Sequence, residues 1–220
     1  TINRVGLVFL RRALWESALG QAREHARLRA QAEKLPQRST PPEGTFTGEL
    51  REFQKEGLSF LLPNPRTLLA DEMGLGKTVQ ALACLAATGE FPALIVVPPH
   101  LLRNWQAEAV RFLRIDGKPP RVCVLTGLKP YQPPEADIYI IHYLLLRGWK
   151  QALPQMGFRT VIFDEIQELR HGGTEKYSAA SLLAEECERV IGLSGTPIYN
   201  QGGEIWNVVN ILDFHCLGDW

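Results

Sequence analysis

Apolar residues along this chain follow two rhythms. Short unbroken runs, such as Ala93-Leu94-Ile95-Val96-Val97 and Val161-Ile162-Phe163, alternate with longer segments in which apolar residues return every three or four positions. Runs of the first kind suit strands covered on both faces, and they predict strands at Thr67–Ala70, Ala93–Pro98, Val122–Thr126, Ile138–His142, Thr160–Asp164 and Arg189–Ser194. The second kind predicts helices at Leu50–Leu62, Lys77–Thr88, His100–Leu113, Thr174–Glu186 and Gly203–Leu212. Strand and helix alternating in this way call for an α/β fold, a central mainly parallel sheet with crossover helices on both faces. Ligands of such sheets gather at the carboxyl ends of the strands.

Ahead of this alternation lies a different pattern. Leu10, Leu14, Ala18, Ala22, Ala26 and Ala30 recur every fourth residue among Arg and Glu, predicting a long helix to about Leu35 with a small-residue stripe suited to packing on another helix. Arg23, Arg27 and Arg29 on that helix are read as solvated, with phosphate contact as the alternative. Pro36 to Gly48, rich in Pro, Thr and Gly, reads as a linker. The chain thus divides into an N-terminal extension and linker at residues 1–44 and a main domain at 45–220.

The strongest chemical signal is Leu69-Ala70-Asp71-Glu72-Met73-Gly74-Leu75-Gly76-Lys77-Thr78, set between a strand and a helix. Backbone N–H groups of such a loop cradle a triphosphate at the helix N-terminus, where aligned peptide dipoles favour negative charge. Gly74 and Gly76 permit close approach, Lys77 can reach the β- and γ-phosphates, and Thr78 can ligate Mg²⁺. Asp71 stands where the usual loop begins with Gly. Downstream, the strand at Thr160–Phe163 runs into Asp164-Glu165-Ile166-Gln167. One carboxylate, Asp164, can hold Mg²⁺ through water, while Glu165 can orient and deprotonate the attacking water. Mg²⁺ needs few protein ligands, so Thr78 with Asp164 is a sufficient set. The strand at Arg189–Leu193 leads to Ser194-Gly195-Thr196-Pro197, whose hydroxyls can link Gln167 to the rest of the molecule. Upstream, Gln54 follows Arg51 on a helix, and its amide suits the donor and acceptor edge of adenine.

Composition narrows the function further. With 220 residues and 45% hydrophobic content the chain can bury a full core. Net charge is zero but uneven, eight Lys/Arg against four Asp/Glu in residues 1–44 and sixteen against twenty in 45–220, so any grip on nucleic acid must be local. Arg103, Arg111, Arg114, Lys118 and Arg121 form the basic stretch that qualifies, either as a solvated helix face or as a phosphate-contacting patch. Cys84, Cys123, Cys187 and Cys216 lack metal-ligand spacing and read as reduced core thiols of an intracellular protein, cytoplasmic or nuclear. The apolar run at Val5–Leu10 is too short to span a bilayer, so no membrane partner is expected.

In order along the chain, these motifs resemble the Swi/Snf-like branch of superfamily-two helicases. Leu50–Gln54 is similar to the family's adenine motif, Asp71–Thr78 to motif I, Val97–Trp105 to motif Ia, Asp164–Gln167 to motif II and Leu193–Asn200 to motif III. Glu204–Leu212 looks like the helix that follows motif III, so the likeness runs from about Leu50 to Phe214. The resemblance implies a RecA-like ATPase lobe of a translocase that tracks along double-stranded DNA and remodels or displaces protein bound to it. It assigns ATP binding to Arg51, Gln54, Asp71, Met73, Gly74, Leu75, Gly76, Lys77 and Thr78, catalysis to Lys77, Asp164 and Glu165, and coupling to Gln167, Ser194, Gly195 and Thr196. Contact with the DNA backbone is implied for His100, Arg103, Asn104, Thr126, Gly127, His142 and Tyr143, while Trp105 is expected in the core. Gln167 stands where the family usually has His, and Ser194 where it commonly has Thr. A second RecA-like lobe carrying arginine fingers is the implied partner. The chain ends at Trp220, where the first lobe should close, so the expectation is a fragment that binds ATP and hydrolyses it very slowly. Two rival readings share the same motifs, a strand-separating or restriction-type helicase and a non-enzymatic nucleotide-dependent interaction module.

Overall fold

The computed structural model describes residues 6–8, 40–196 and 202–213. The helix expected from Leu10, the end of motif III at Pro197–Asn200, and Cys216 lie outside the described residues. Strands β1 (Gly6–Val8), β2 (Arg66–Leu69), β3 (Ala93–Val97), β4 (Val122–Val124), β5 (Ile138–His142), β6 (Thr160–Asp164) and β7 (Arg189–Leu193) form one sheet in the order β1-β2-β7-β6-β3-β5-β4. Every pairing among these strands is parallel. Helices α1 (Glu52–Leu61), α2 (Lys77–Thr88), α3 (Leu102–Phe112), α4 (Leu146–Trp149), α5 (Glu175–Glu186) and α6 (Gly202–Leu212) cover it. Leu58, Leu82 and Trp105 pack in the core on one face, and Trp149, Leu183 and Val208 in the core on the other, which is why the central strands are apolar throughout.

The edge strand β1 arises from the apolar run at Val5–Leu10, which the pattern alone did not reveal as a strand. Predicted strands at Val122–Thr126 and Ala93–Pro98 end earlier, at Val124 and Val97, although Leu125 N–H still donates to Ile140 O at 2.8 Å and both Leu125 and Pro98 remain buried. The stretch read as a linker is packed from Thr45 onward: Thr47 N–H donates to Phe112 O at 2.8 Å and Arg114 N–H to Thr45 O at 2.9 Å. Phe46 stacks on Phe112 with ring centres 5.5 Å apart, so residues 45–48 belong to the folded unit.

Two arginines fasten the rim at the amino ends of β2 and β7. Arg189 is 5% exposed; its Nη1 donates to Leu61 O at 2.7 Å, its Nη2 to Leu62 O at 3.1 Å, and its Nε pairs with Glu90 at 2.6 Å. Arg66 donates to Ala184 O at 2.8 Å, Cys187 O at 3.0 Å and Leu212 O at 3.2 Å. These carbonyls end α1, α5 and α6, and a cation there satisfies acceptors that a helix end leaves open.

Candidate functional site

The register of the sheet brings the carboxyl ends of five strands level. Leu69 pairs with Leu193, Leu193 with Asp164, and Val97 with His142, so the loops that follow β2, β7, β6, β3 and β5 leave from one rim. The loop after β2 turns through Gly74 (φ 84°) and Gly76 (φ 74°) into α2. At Gly76 only hydrogen fits, because a Cβ would lie 2.5 Å from Gln54 Nε2 as well as adopting the left-handed conformation. Gly76 caps α2 without any side-chain bond, so the first-turn N–H groups face the hollow of the loop.

Lys77 lies across this hollow, its Nζ donating to Asp71 O at 2.9 Å and Glu72 O at 3.1 Å. Burial lowers its pKa, while the charges of Glu165, Asp71 and Asp164 act to raise it, which sets all three carboxylates within electrostatic reach of the ammonium. Gly195 closes the same space: a Cβ there would be 2.8 Å from Met73 Cγ and 3.7 Å from Lys77 Nζ. Motifs I, II and III therefore meet at one point.

The carboxylate pair is held differently at each member. Asp164 is 7% exposed, with Oδ2 accepting from Trp105 Nε1 at 2.7 Å and Oδ1 from Glu165 N–H at 3.0 Å. Burial raises its pKa, against the bond from Trp105. One donor on each oxygen leaves a lone pair on each, a donor set that fits Mg²⁺ held through its water shell, with half-buried Thr78 at the start of α2 as the second ligand. Glu165 sits at φ 52°, a conformation costing a non-glycine residue roughly 1–2 kcal/mol, and this bend turns the chain out of β6 at the rim. Gln167 Nε2 donates to Glu165 Oε2, Ser194 Oγ donates to Gln167 Oε1 at 2.8 Å, and Thr196 N–H donates to Ser194 Oγ at 3.1 Å. A continuous hydrogen-bonded line thus joins motif II to motif III.

Several expected roles change. Asp71 is 2% exposed and its Oδ2 accepts from Gln80 Nε2 at 2.9 Å, so its side chain braces α2 and only its carbonyl faces Lys77. Gln54 spends its amide within the protein, Oε1 accepting from Arg51 N–H at 3.0 Å and Nε2 donating to Leu75 O at 3.1 Å; it clamps the phosphate loop. Beside it lies a cavity of about 410 Å³ lined by Arg51, Gln54, Val79, Arg111 and Phe112 among others, wide enough for a nucleobase. Arg111 and Phe112 were not singled out for this role in the sequence, since they lie on α3, far from the adenine motif.

Among residues expected to touch DNA, His100, Arg103, Asn104, Thr126 and Gly127 are exposed. His142 is half-buried, with burial lowering its pKa. Tyr143 is a correction: its side chain is 2% exposed and its OH donates to Asp164 O at 2.8 Å, leaving no face for a phosphate backbone. Two residues of the basic stretch are engaged within the protein. Arg114 caps the end of α3 through Val110 O and Leu113 O, and Arg121 pairs with Asp137 at 2.8 Å. No cluster of His, Cys, Asp or Glu among the described residues forms a ready-made metal cage, and Cys84 and Cys187 are buried free thiols.

Comparison with known proteins follows the same lines. The SNF2-related domain matches residues 53–220. Helicase SWR1 of Saccharomyces cerevisiae is 33% identical over 205 residues, covering 86% of this chain and 13% of that protein. A Bacillus subtilis (strain 168) protein, YwqA, that carries the name of an ATP-dependent helicase/translocase is 31% identical over 216 residues, covering 90% of this chain and 22% of its own length. The chain therefore spans less than a quarter of these relatives. The Sulfolobus solfataricus SWI2/SNF2 ATPase core in complex with double-stranded DNA superposes with a TM-score of 0.68 at 26% identity, over 80% of this chain and 38% of that one.

Proposed function

Because this chain belongs to the SNF2-related domain family, a family of ATP-dependent helicases and translocases, we propose that it binds ATP with Mg²⁺ at the rim of the sheet and acts as the ATP-binding lobe of a double-stranded DNA translocase. The observation that carries this reading is the convergence of Lys77, Gly195 and the pair Asp164 and Glu165 on the hollow of the phosphate loop. The DNA-bound state of the Sulfolobus solfataricus core supports DNA as the track. The function of the parent protein would be to remodel or displace DNA-bound protein inside the cell, in the cytoplasm, nucleoid or nucleus. No helix among the described residues is long and apolar enough to cross a membrane.

In this mechanism the first-turn N–H groups of α2 hold the β-phosphate, and Lys77 swings from the carbonyls of Asp71 and Glu72 onto the γ-phosphate. Mg²⁺ held by Thr78 and Asp164 would neutralise charge building on the phosphate oxygens. Glu165 orients the attacking water and accepts its proton, and Gln167 steadies that carboxylate from the side. Arg103 and Asn104 on the exposed start of α3, His100 in the turn before it, and Thr126 and Gly127 supply contacts to a phosphate backbone. Fast turnover needs a further cation on the transferring group, which an arginine of a second lobe would supply.

The test compares Lys77→Ala and Glu165→Gln. Lys77→Ala should abolish ATP binding. Glu165→Gln should keep it and, in the parent protein, stop ATP-driven displacement of a protein roadblock from duplex DNA. Displacement that survives Glu165→Gln would reject hydrolysis as the motor; separation of a forked duplex would favour a strand-separating helicase instead.

A further inference from the structure

The metal-facing carboxylate of Asp164 is held by a side chain from a different element. Trp105 comes from α3, fully enclosed, and its Nε1 reaches Asp164 Oδ2 at 2.7 Å. A buried indole N–H requires an acceptor, and here that acceptor is the ionisable group of motif II. The same helix brings a second group to the same place. Burial of Glu108, one turn further on, raises its pKa, and the charge of Asp164 acts the same way. Arg103 and Asn104 directly precede Trp105 in sequence and are exposed.

We propose that Trp105 is a positioning residue for Asp164, fixing the carboxylate plane that faces Mg²⁺ and tying it to the helix whose outer face carries Arg103 and Asn104. Among the described residues, Asp164 has two donors to its carboxylate, Trp105 and the backbone N–H of Glu165. Without the indole bond one carboxylate oxygen is buried and unpaired, and the group is free to rotate about its last torsion away from the metal-facing orientation. Movement of α3 on its outer surface would be carried to that oxygen through a single rigid ring. This inference rests on the ATP and Mg²⁺ reading above.

The test is titration of a fluorescent ATP analogue into the 220-residue chain, once with Mg²⁺ and once with EDTA. Trp105→Phe, which keeps the ring and removes the N–H, should lose about tenfold of the affinity gained from Mg²⁺, the effect of one hydrogen bond to a charged group. Affinity in EDTA should be little changed. Asp164→Asn should lose the Mg²⁺ gain, and adding Trp105→Phe to it should lose nothing more. Trp105→Phe that keeps the full Mg²⁺ gain, or weakens binding equally with and without the metal, overturns the proposal. A second measurement stands if Trp105→Phe does not fold: in ¹H–¹⁵N spectra, Asp164→Asn should shift one indole N–H signal upfield, and no shift among the indole signals overturns the bond. Wild-type protein that fails to bind the analogue with Mg²⁺ would reject the ATP reading, while the indole signal would still report on the bond.

Discussion

Gly57 of α1 faces Gln80 of α2, and a Cβ at position 57 would lie 1.9 Å from Gln80 Oε1 and 3.1 Å from its Cδ. Gln80 is fully buried, and its other amide atom is the donor to Asp71 Oδ2 at 2.9 Å. In Gly57→Ala the amide must swing aside, and the bond it breaks is the one bracing the phosphate loop. Losing a hydrogen bond to a buried carboxylate costs about 1.5–3 kcal/mol, and residual crowding about 1 kcal/mol. Alanine's better helix propensity returns about 1 kcal/mol. The net loss is about 2 kcal/mol, or roughly 4–8 °C in melting temperature for a domain of this size. Urea unfolding of Gly57→Ala, Gln80→Ala and the double variant isolates the mechanism. On the Gln80→Ala background the clash is gone, so Gly57→Ala should be neutral or stabilising, giving a coupling of about 2 kcal/mol. The reasoning is refuted if Gly57→Ala costs the same on both backgrounds.

Three further outcomes are expected. Gln54→Ala removes the bonds to Arg51 and Leu75 and should weaken ATP binding about tenfold, measured by calorimetry, by loosening the loop before ligand arrives. Arg189→Met leaves Glu90 and the end of α1 without their cation and should lower unfolding free energy by about 3–5 kcal/mol in urea titration, the range for breaking a buried pair. Burial holds the folded pKa of His142 below 6.5, so the folded chain refuses a proton that the unfolded chain accepts; stability falls as pH drops below 6.5, and His142→Asn should flatten that part of a pH series of urea midpoints.

Motifs carried by contiguous residues were readable because backbone geometry and chemistry coincide there. The loop at Gly74–Thr78 and the pair at Asp164 and Glu165 follow strands whose apolar runs mark them plainly. Hydropathy carries the strand ends past Val124 and Val97 because Leu125 and Pro98 stay buried beyond the last paired residue, and hydropathy records burial rather than pairing. What remained hidden depends on which partner a side chain meets across the fold. Trp105, Tyr143 and Gln80 all have spacing that suits packing, and nothing local tells that their polar atoms end on Asp164 or Asp71. Gln54 suits adenine by residue type, and nothing local tells that its amide clamps the loop, since an amide can serve either partner. Arg114 and Arg121 read as open charge because their acceptors are a helix end and an aspartate beyond a proline-rich loop.

Arg66 and Arg189 fasten three helices at the rim away from the nucleotide hollow. A lobe riveted at that end resembles a fan gathered at its handle: small hinging of the helices there is suppressed, and whatever give the molecule has is displaced toward the spread edge where Lys77, Glu165 and Gln167 stand. Amide protons along the bases of β2 and β7 should accordingly be the last to exchange, whichever ligand sits at the other end.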